Sequence, residues 1–220
     1  MTAQPQPVPA TVTYRPYEPG DAEALKAIID ESFFIHRYVT APRLLGSALE
    51  VYLRERLVAS THTRVAVLDG QVVGVLMGQI VGQPRRRDVA RNRLTTWAHM
   101  LRLAVLGLTE LASLRQHFAF GRVYRTLRAK AAAPLTDELT LFAVSAAARG
   151  HGVGTALYRD FMARLREHGR TDFYLYTDSL CTFEFYERRG MRRAAEQDMT
   201  VRLDDEPSRL GVYLYTGSVA

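Results

Sequence analysis

Cysteine occurs once in the 220 residues, as Cys181. That excludes an intramolecular disulfide and any zinc site built from several thiolates, and it fits a reducing compartment. No run of about 18 uncharged apolar residues occurs, so a transmembrane segment is not expected. The first ten residues are rich in Gln and Pro and lack both the basic head and the apolar stretch of a signal peptide. They read as a disordered leader over 1–10 ahead of a cytoplasmic protein. No metal is expected.

What is present suits one globular unit. Hydrophobic residues make up 47% and charged residues 24%, enough to bury a core. At about 150 residues per domain, residues 11–220 read as a single domain. The net charge of +6 is unevenly spread. Residues 85–130 hold eleven basic side chains (Arg85, Arg86, Arg87, Arg91, Arg93, Arg102, Arg115, Arg122, Arg125, Arg128 and Lys130) against Asp88 and Glu110, a local +9. The remainder carries 18 basic and 21 acidic residues. Basic character thus belongs to one segment, which weakens a nucleic-acid-binding reading of the whole surface.

Periodicity orders the chain. Val12 to Tyr17 alternates as a strand, and Ala22, Leu25, Ile28, Ile29 and Phe33 follow at helical spacing. A second amphipathic run after Pro42 ends before Ser60. Arg64–Leu68, Asp69-Gly70 and Val72–Val81 predict a hairpin on a two-residue turn. From Asp88 to Lys130 the period turns helical, giving two helices inside a segment 85–135 that Pro134 closes. In the first, Leu94, Trp97, Leu101, Ala104, Leu108 and Leu111 form a stripe, and because apolar residues run nearly all round it, burial against the core or a second subunit is expected. In the second, Phe120, Val123, Tyr124 and Leu127 share a face. Strands are expected at Glu138–Val144, Phe173–Thr177, Met199–Leu203 and Val212–Thr216, with helices from Val153 to Gly169 and over Thr182–Arg189.

The most specific feature is the turn from Ser145 to Thr155, between a strand and a helix. Its glycines let successive N–H groups converge, and the helix start adds positive charge, an arrangement suited to a pyrophosphate. A dinucleotide fingerprint would need Gly where Thr155 stands and an early strand, and a P-loop would need a lysine that is absent.

This turn resembles that of the GNAT N-acetyltransferase superfamily, marked by Arg/Gln-x-x-Gly-x-Gly/Ala. Here it is Arg149, Gly152 and Gly154, preceded by the hydrophobic strand Leu139–Val144. The family's second mark, a Tyr in a short helix before x-x-x-Gly, is matched by Tyr186 and Gly190. Departures are Ser179, Thr182 and Met191, where the family often has Asn, Ala and an aromatic.

The resemblance implies a mixed α/β fold with a mostly antiparallel central sheet flanked by helices. Segment 85–135 would be a two-helix basic insertion between the third and fourth strands. It also implies acetyl-CoA as cosubstrate, held on the backbone of Phe142, Ala143 and Val144 and on Arg149, Gly150, His151, Gly152, Val153, Gly154 and Thr155. Tyr186 is the implied acid that protonates the departing thiolate, and Glu138 is a candidate base for the amine proton. His36 competes for the base role, while Cys181, with no His beside it in sequence, reads as a structural thiol. The acceptor would be a primary amine of a small molecule or peptide. The alternative is a noncatalytic CoA-binding module that uses its basic segment against a partner or membrane surface. A homodimer through that segment is allowed, and nucleic acid is not an expected partner.

Overall fold

The computed structural model describes residues 12–106, 111–132 and 134–219, so the leader expected over 1–10 lies outside the described residues. Seven strands make one sheet: β1 (Val12–Arg15), β2 (His62–Leu68), β3 (Gln71–Gln79), β4 (Glu138–Val144), β5 (Asp172–Asp178), β6 (Arg192–Leu203) and β7 (Glu206–Ser218). Their spatial order is β1-β2-β3-β4-β5-β7-β6. Every neighbouring pair is antiparallel except β4 and β5. The helices are α1 (Ala22–Phe33), α2 (Ile35–Tyr38), α3 (Pro42–Ala59), α4 (Val89–Leu106), α5 (Leu111–Lys130), α6 (Val153–Glu167) and α7 (Glu184–Glu187).

Strand alternation divides the core. Val75 and Met77 point to one face, where Leu25, Ile29, Leu53 and Leu57 of α1 and α3 cover them. Leu76 points to the other, under Leu157, Phe161 and Leu165 of α6. A side chain at Gly78 would meet the Phe161 ring at 2.3 Å, so the bare backbone there is what lets this helix lie close. A third cluster forms where Val123 and Leu127 of α5 pack on Tyr174, Val201, Leu210 and Leu214 of β5–β7.

The hairpin forms on the expected turn, with Asp69 at φ 49° and Gly70 at φ 80°, the pairing of left-handed residues that suits right-twisted strands. The structure moves several boundaries. β3 ends at Gln79 rather than Val81, and the helix expected over Thr182–Arg189 is regular only across Glu184–Glu187. β6 begins at Arg192 rather than Met199. The early half of β6 was hidden because Arg192 to Asp198 is largely exposed and offers no apolar alternation.

The main correction concerns α4. Its apolar stripe was expected to bury against the core or a second subunit, and the core does not take it: Leu94, Trp97, Leu101 and Val105 are exposed within the chain, and Asn92 is its one fully buried side chain. The helix packs along α3, and polar side chains make specific contacts between the two. Arg54 donates from Nη1 to Asn92 Oδ1 at 3.0 Å, and His99 Nδ1 lies 3.2 Å from Ser47 Oγ. Of the rest of the expected stripe, Ala104 is half-buried, while Leu108 and the Leu111 side chain lie outside what the structure describes.

Candidate active site

β4 and β5 meet only at Glu138 and Tyr174 before they diverge. Parallel strands that pair at one point leave a wedge, and β4 also carries a bulge: Met77 faces Leu141 and Gly78 faces Leu139, so Thr140 is the extra residue. Beyond the bulge the Ser145 N–H bonds back to Val73 O on β3 at 2.9 Å. Alternation along the strand then turns the main-chain groups of Val144 and Phe142 toward the wedge.

The wedge opens into a cleft of about 520 Å³. Phe142, Ala143 and Val144 form one wall, and Arg149, Gly150, Gly152, Val153, Gly154 and Thr155 form its rim, with Tyr186 and Glu138 also on the surface. His151 stands apart from the other expected residues: it is exposed, its Nδ1 lies 3.0 Å from the Arg149 carbonyl, and it does not line the cleft. Gly150 and Gly152 adopt φ 80° and 74°, which lets the chain curl into α6. The N–H groups of residues 150–155 make no hydrogen bond to any described residue. Unpaired donors at a helix start, on the rim of a cleft, can receive an anion.

Tyr186 lies almost wholly buried, 8% exposed, against the rings of Phe185 and Tyr215. Burial raises its pKa well above the usual phenol value, so the hydroxyl is held protonated as a donor. It has no hydrogen-bond partner among the described residues, and the side chain lines the cleft.

Glu138 sits where the two strands still touch. Tyr174 donates its hydroxyl proton to Glu138 Oε2 at 2.9 Å, and Arg128 of α5 donates to the same hydroxyl at 2.9 Å. Burial, and then the Glu138 charge, raise the Tyr174 pKa. His36 lies outside: it is exposed, with Nδ1 3.0 Å from Asp30 Oδ1, and lines neither this cleft nor its neighbour. Cys181 is half-buried on the cleft wall. Burial, then the nearby Asp178, push its thiol pKa up, the reverse of what a nucleophilic thiolate requires.

A second cavity of about 400 Å³ adjoins the cleft. Phe33, Tyr52, Arg56 and Tyr124 belong to the walls of both. Met100 and Leu103 of α4 and Phe120 of α5 close its far side. Arg56 lies with its guanidinium 5.0 Å from the Tyr52 ring centre, and its buried Nε has no partner. Sequence reasoning missed Arg56. The available signal was a charge added one turn beyond Tyr52 to the apolar row Leu45, Leu49 and Tyr52.

The sequence model of the acetyltransferase (GNAT) family matches residues 112–191, from α5 through the Gly-rich turn to Met191. Over that stretch the chain is similar to the GNAT acetyltransferase family. Solved GNAT-type folds resemble it along nearly its whole length. An N-acetyltransferase from Staphylococcus aureus aligns over 96% of this chain and 99% of its own, with TM-score 0.54 and 13% identity. The ribosomal-protein-S18-alanine N-acetyltransferase from Escherichia coli aligns over 96% and 95%, with TM-score 0.51 and 12% identity. A ribosomal-protein-alanine N-acetyltransferase from Brucella melitensis gives 94% and 99%, with TM-score 0.52 and 13% identity. At such identities the likeness is one of fold. No curated protein shows significant similarity to the sequence. Among the described residues no helix is long and apolar enough to cross a membrane.

Proposed function

We propose that this protein is a GNAT-type enzyme that transfers an acetyl group from acetyl-CoA to the primary amine of a small molecule with an apolar or aromatic body. The observation that carries the reading is the row of unpaired N–H groups over residues 150–155, in the same cleft as the splayed β4 backbone and the Tyr186 hydroxyl. Buried or clustered donors without partners favour an anion that satisfies them, and a pyrophosphate supplies several acceptor oxygens at once. The main-chain groups of Phe142 and Val144 would hold the extended arm as an added strand. When bound, acetyl-CoA supplies a thioester, so that a C–N bond forms to the acceptor as the C–S bond breaks and CoA leaves as a thiol.

The chain's own groups manage the protons. Tyr186, kept neutral by burial, donates to the leaving sulfur. Glu138, on the cleft surface at the closed end of the wedge, receives the amine proton directly or through water. Tyr174 orients Glu138 by its hydrogen bond, and Arg128 holds the Tyr174 hydroxyl in place. The acceptor would enter from the second cavity, whose walls include Phe33, Tyr52, Phe120 and Tyr124. Its aromatic lining favours an apolar body over a polycationic one. In this reading segment 85–135 is a basic insertion that walls the acceptor site.

Thiol release from acetyl-CoA, measured with a panel of aromatic, aliphatic and polyamine acceptors, tests the proposal. Turnover with aromatic or aliphatic amines is expected. CoA binding without turnover on any amine would favour the noncatalytic module instead.

A further inference from the structure

The exposed face of α4 is the feature the catalytic reading leaves unused. At about 100° per residue, Leu94, Trp97, Leu101 and Val105 project as one ridge along the helix. They are 73%, 75%, 63% and 59% exposed. Arg93 flanks the ridge on one side, and Arg91 and Arg102 on the other, all exposed. No acidic residue occurs between 89 and 106, and exposed Arg85 and Arg87 precede the helix. Meanwhile the inner face buries Asn92, whose Nδ2 makes no hydrogen bond among the described residues. A helix that buries an unsatisfied amide while it exposes Trp and Leu departs from what folding alone favours, and such departures concentrate at functional surfaces.

We propose that this face docks the protein onto an anionic lipid bilayer, lying in the plane of the interface with Trp97 and the leucines in the headgroup and acyl boundary. Two observations favour a bilayer over other occupants. A ridge of Trp and Leu framed by arginines matches the two components of interfacial binding, apolar burial and attraction to anionic lipid. A second copy of the same face would set Arg91, Arg93 and Arg102 against their own counterparts with no acid on the helix to pair them. The proposal does not depend on the acetyltransferase reading, because its readout is binding alone.

The test uses the full chain and a reporter already in place, since Trp97 is the one tryptophan of the sequence. Vesicles of phosphatidylcholine with phosphatidylglycerol should shift its emission to the blue and carry the protein upward in flotation, with both effects weakening as salt is raised. Phosphatidylcholine alone should do neither. Each basic residue near an anionic surface contributes about fivefold in partitioning, so the triple variant Arg91→Gln, Arg93→Gln, Arg102→Gln should lose about a hundredfold. Trp97→Ala with Leu101→Gln should also abolish flotation, with the far-ultraviolet circular dichroism unchanged. No blue shift and no flotation at low salt would overturn the proposal. So would equal binding to neutral vesicles, or a concentration-dependent dimer by light scattering in which Trp97 shifts without lipid.

Discussion

Helices α4 and α6 are similar in length, 18 and 15 residues, and both carry apolar residues at helical spacing, yet they turn opposite faces to the protein. α6 lays Val153, Leu157, Phe161 and Leu165 on the sheet, and its arginines point away or toward the helix end. α4 turns Asn92 and His99 inward and keeps Leu94, Trp97 and Leu101 outside. The difference lies in what each finds beneath it. β2 and β3 present an apolar surface with a glycine gap at Gly78, whereas α3 presents Glu50 and Arg54, which pair with each other and, through Glu50, with Lys26 of α1. That group already pairs internally, and Arg54 has a donor left for Asn92. An amide satisfies that donor where leucine would leave it unpaired. Periodicity reveals that a face exists, and the partner decides which way it turns.

The sharpest way to test the cleft side of this contrast is Tyr186→Phe. The ring and its contacts with Phe185 and Tyr215 remain, and only the proton donor is lost. General acid catalysis contributes about 10²- to 10⁴-fold, so turnover should fall by that order while acetyl-CoA affinity and thermal stability change little. Because burial raises the phenol pKa above its usual value, loss of the Tyr186 proton should produce no decline in the pH–rate profile through neutrality. A variant that turns over at the wild-type rate when chemistry is limiting would remove Tyr186 from the mechanism.

Leu127→Ala examines the second helix of the basic segment, where the apolar face does turn inward. Leu127 is fully buried among Tyr174, Leu210 and Leu214, so truncation should destabilise by about 2–5 kcal/mol in chemical denaturation. The same region positions Arg128 on Tyr174, so kcat should fall along with stability. A loss below about 0.5 kcal/mol would mean that α5 contributes as little to the core as the outer face of α4.

Gly152→Val separates two explanations for the Gly-rich turn. Crowding is not the reason for this glycine, because nothing lies within 4 Å of the position its Cβ would take. Its φ of 74° is, since an L-residue there is disfavoured by about 1–2 kcal/mol. Relief of that strain would rotate the N–H groups that follow. Loss of one hydrogen bond to a charged group is worth about 1.5–3 kcal/mol, so acetyl-CoA affinity by calorimetry should drop about tenfold to a hundredfold. Unchanged affinity would show that the turn does not hold the pyrophosphate.

Much of this cleft was legible because its chemistry is local. Arg149, Gly152 and Gly154 stand within six consecutive residues, Asp69-Gly70 announces its own turn, and the α6 stripe is bounded by glycines. The acceptor side was not, because Tyr52 and Arg56 of α3 meet Tyr124 of α5 only after the sheet that separates them in sequence has been built. His36 was misplaced for the same reason: proximity in sequence to the expected loop did not disclose that Asp30 holds it outside. The hydroxyl of Tyr174 on Glu138 was equally invisible, since the two residues lie 36 positions apart and meet across the only pairing of β4 with β5.

Leu101→Gln is the smallest expected effect and the one that tests the α4 side directly. Leu101 is 63% exposed, so in the free protein its side chain already faces water and a polar replacement gives up little. Substitutions of this kind usually stay within about 0.5 kcal/mol, and the melting temperature should be unchanged. Had the apolar stripe been buried against the core, the same change would strand an amide in an apolar contact and destabilise by about 1–3 kcal/mol. The measurement therefore reads the rotation of the helix about its own axis. A clear loss of stability would reverse the contrast with α6, returning Leu94, Trp97 and Leu101 to the interior and removing the surface on which lipid docking depends.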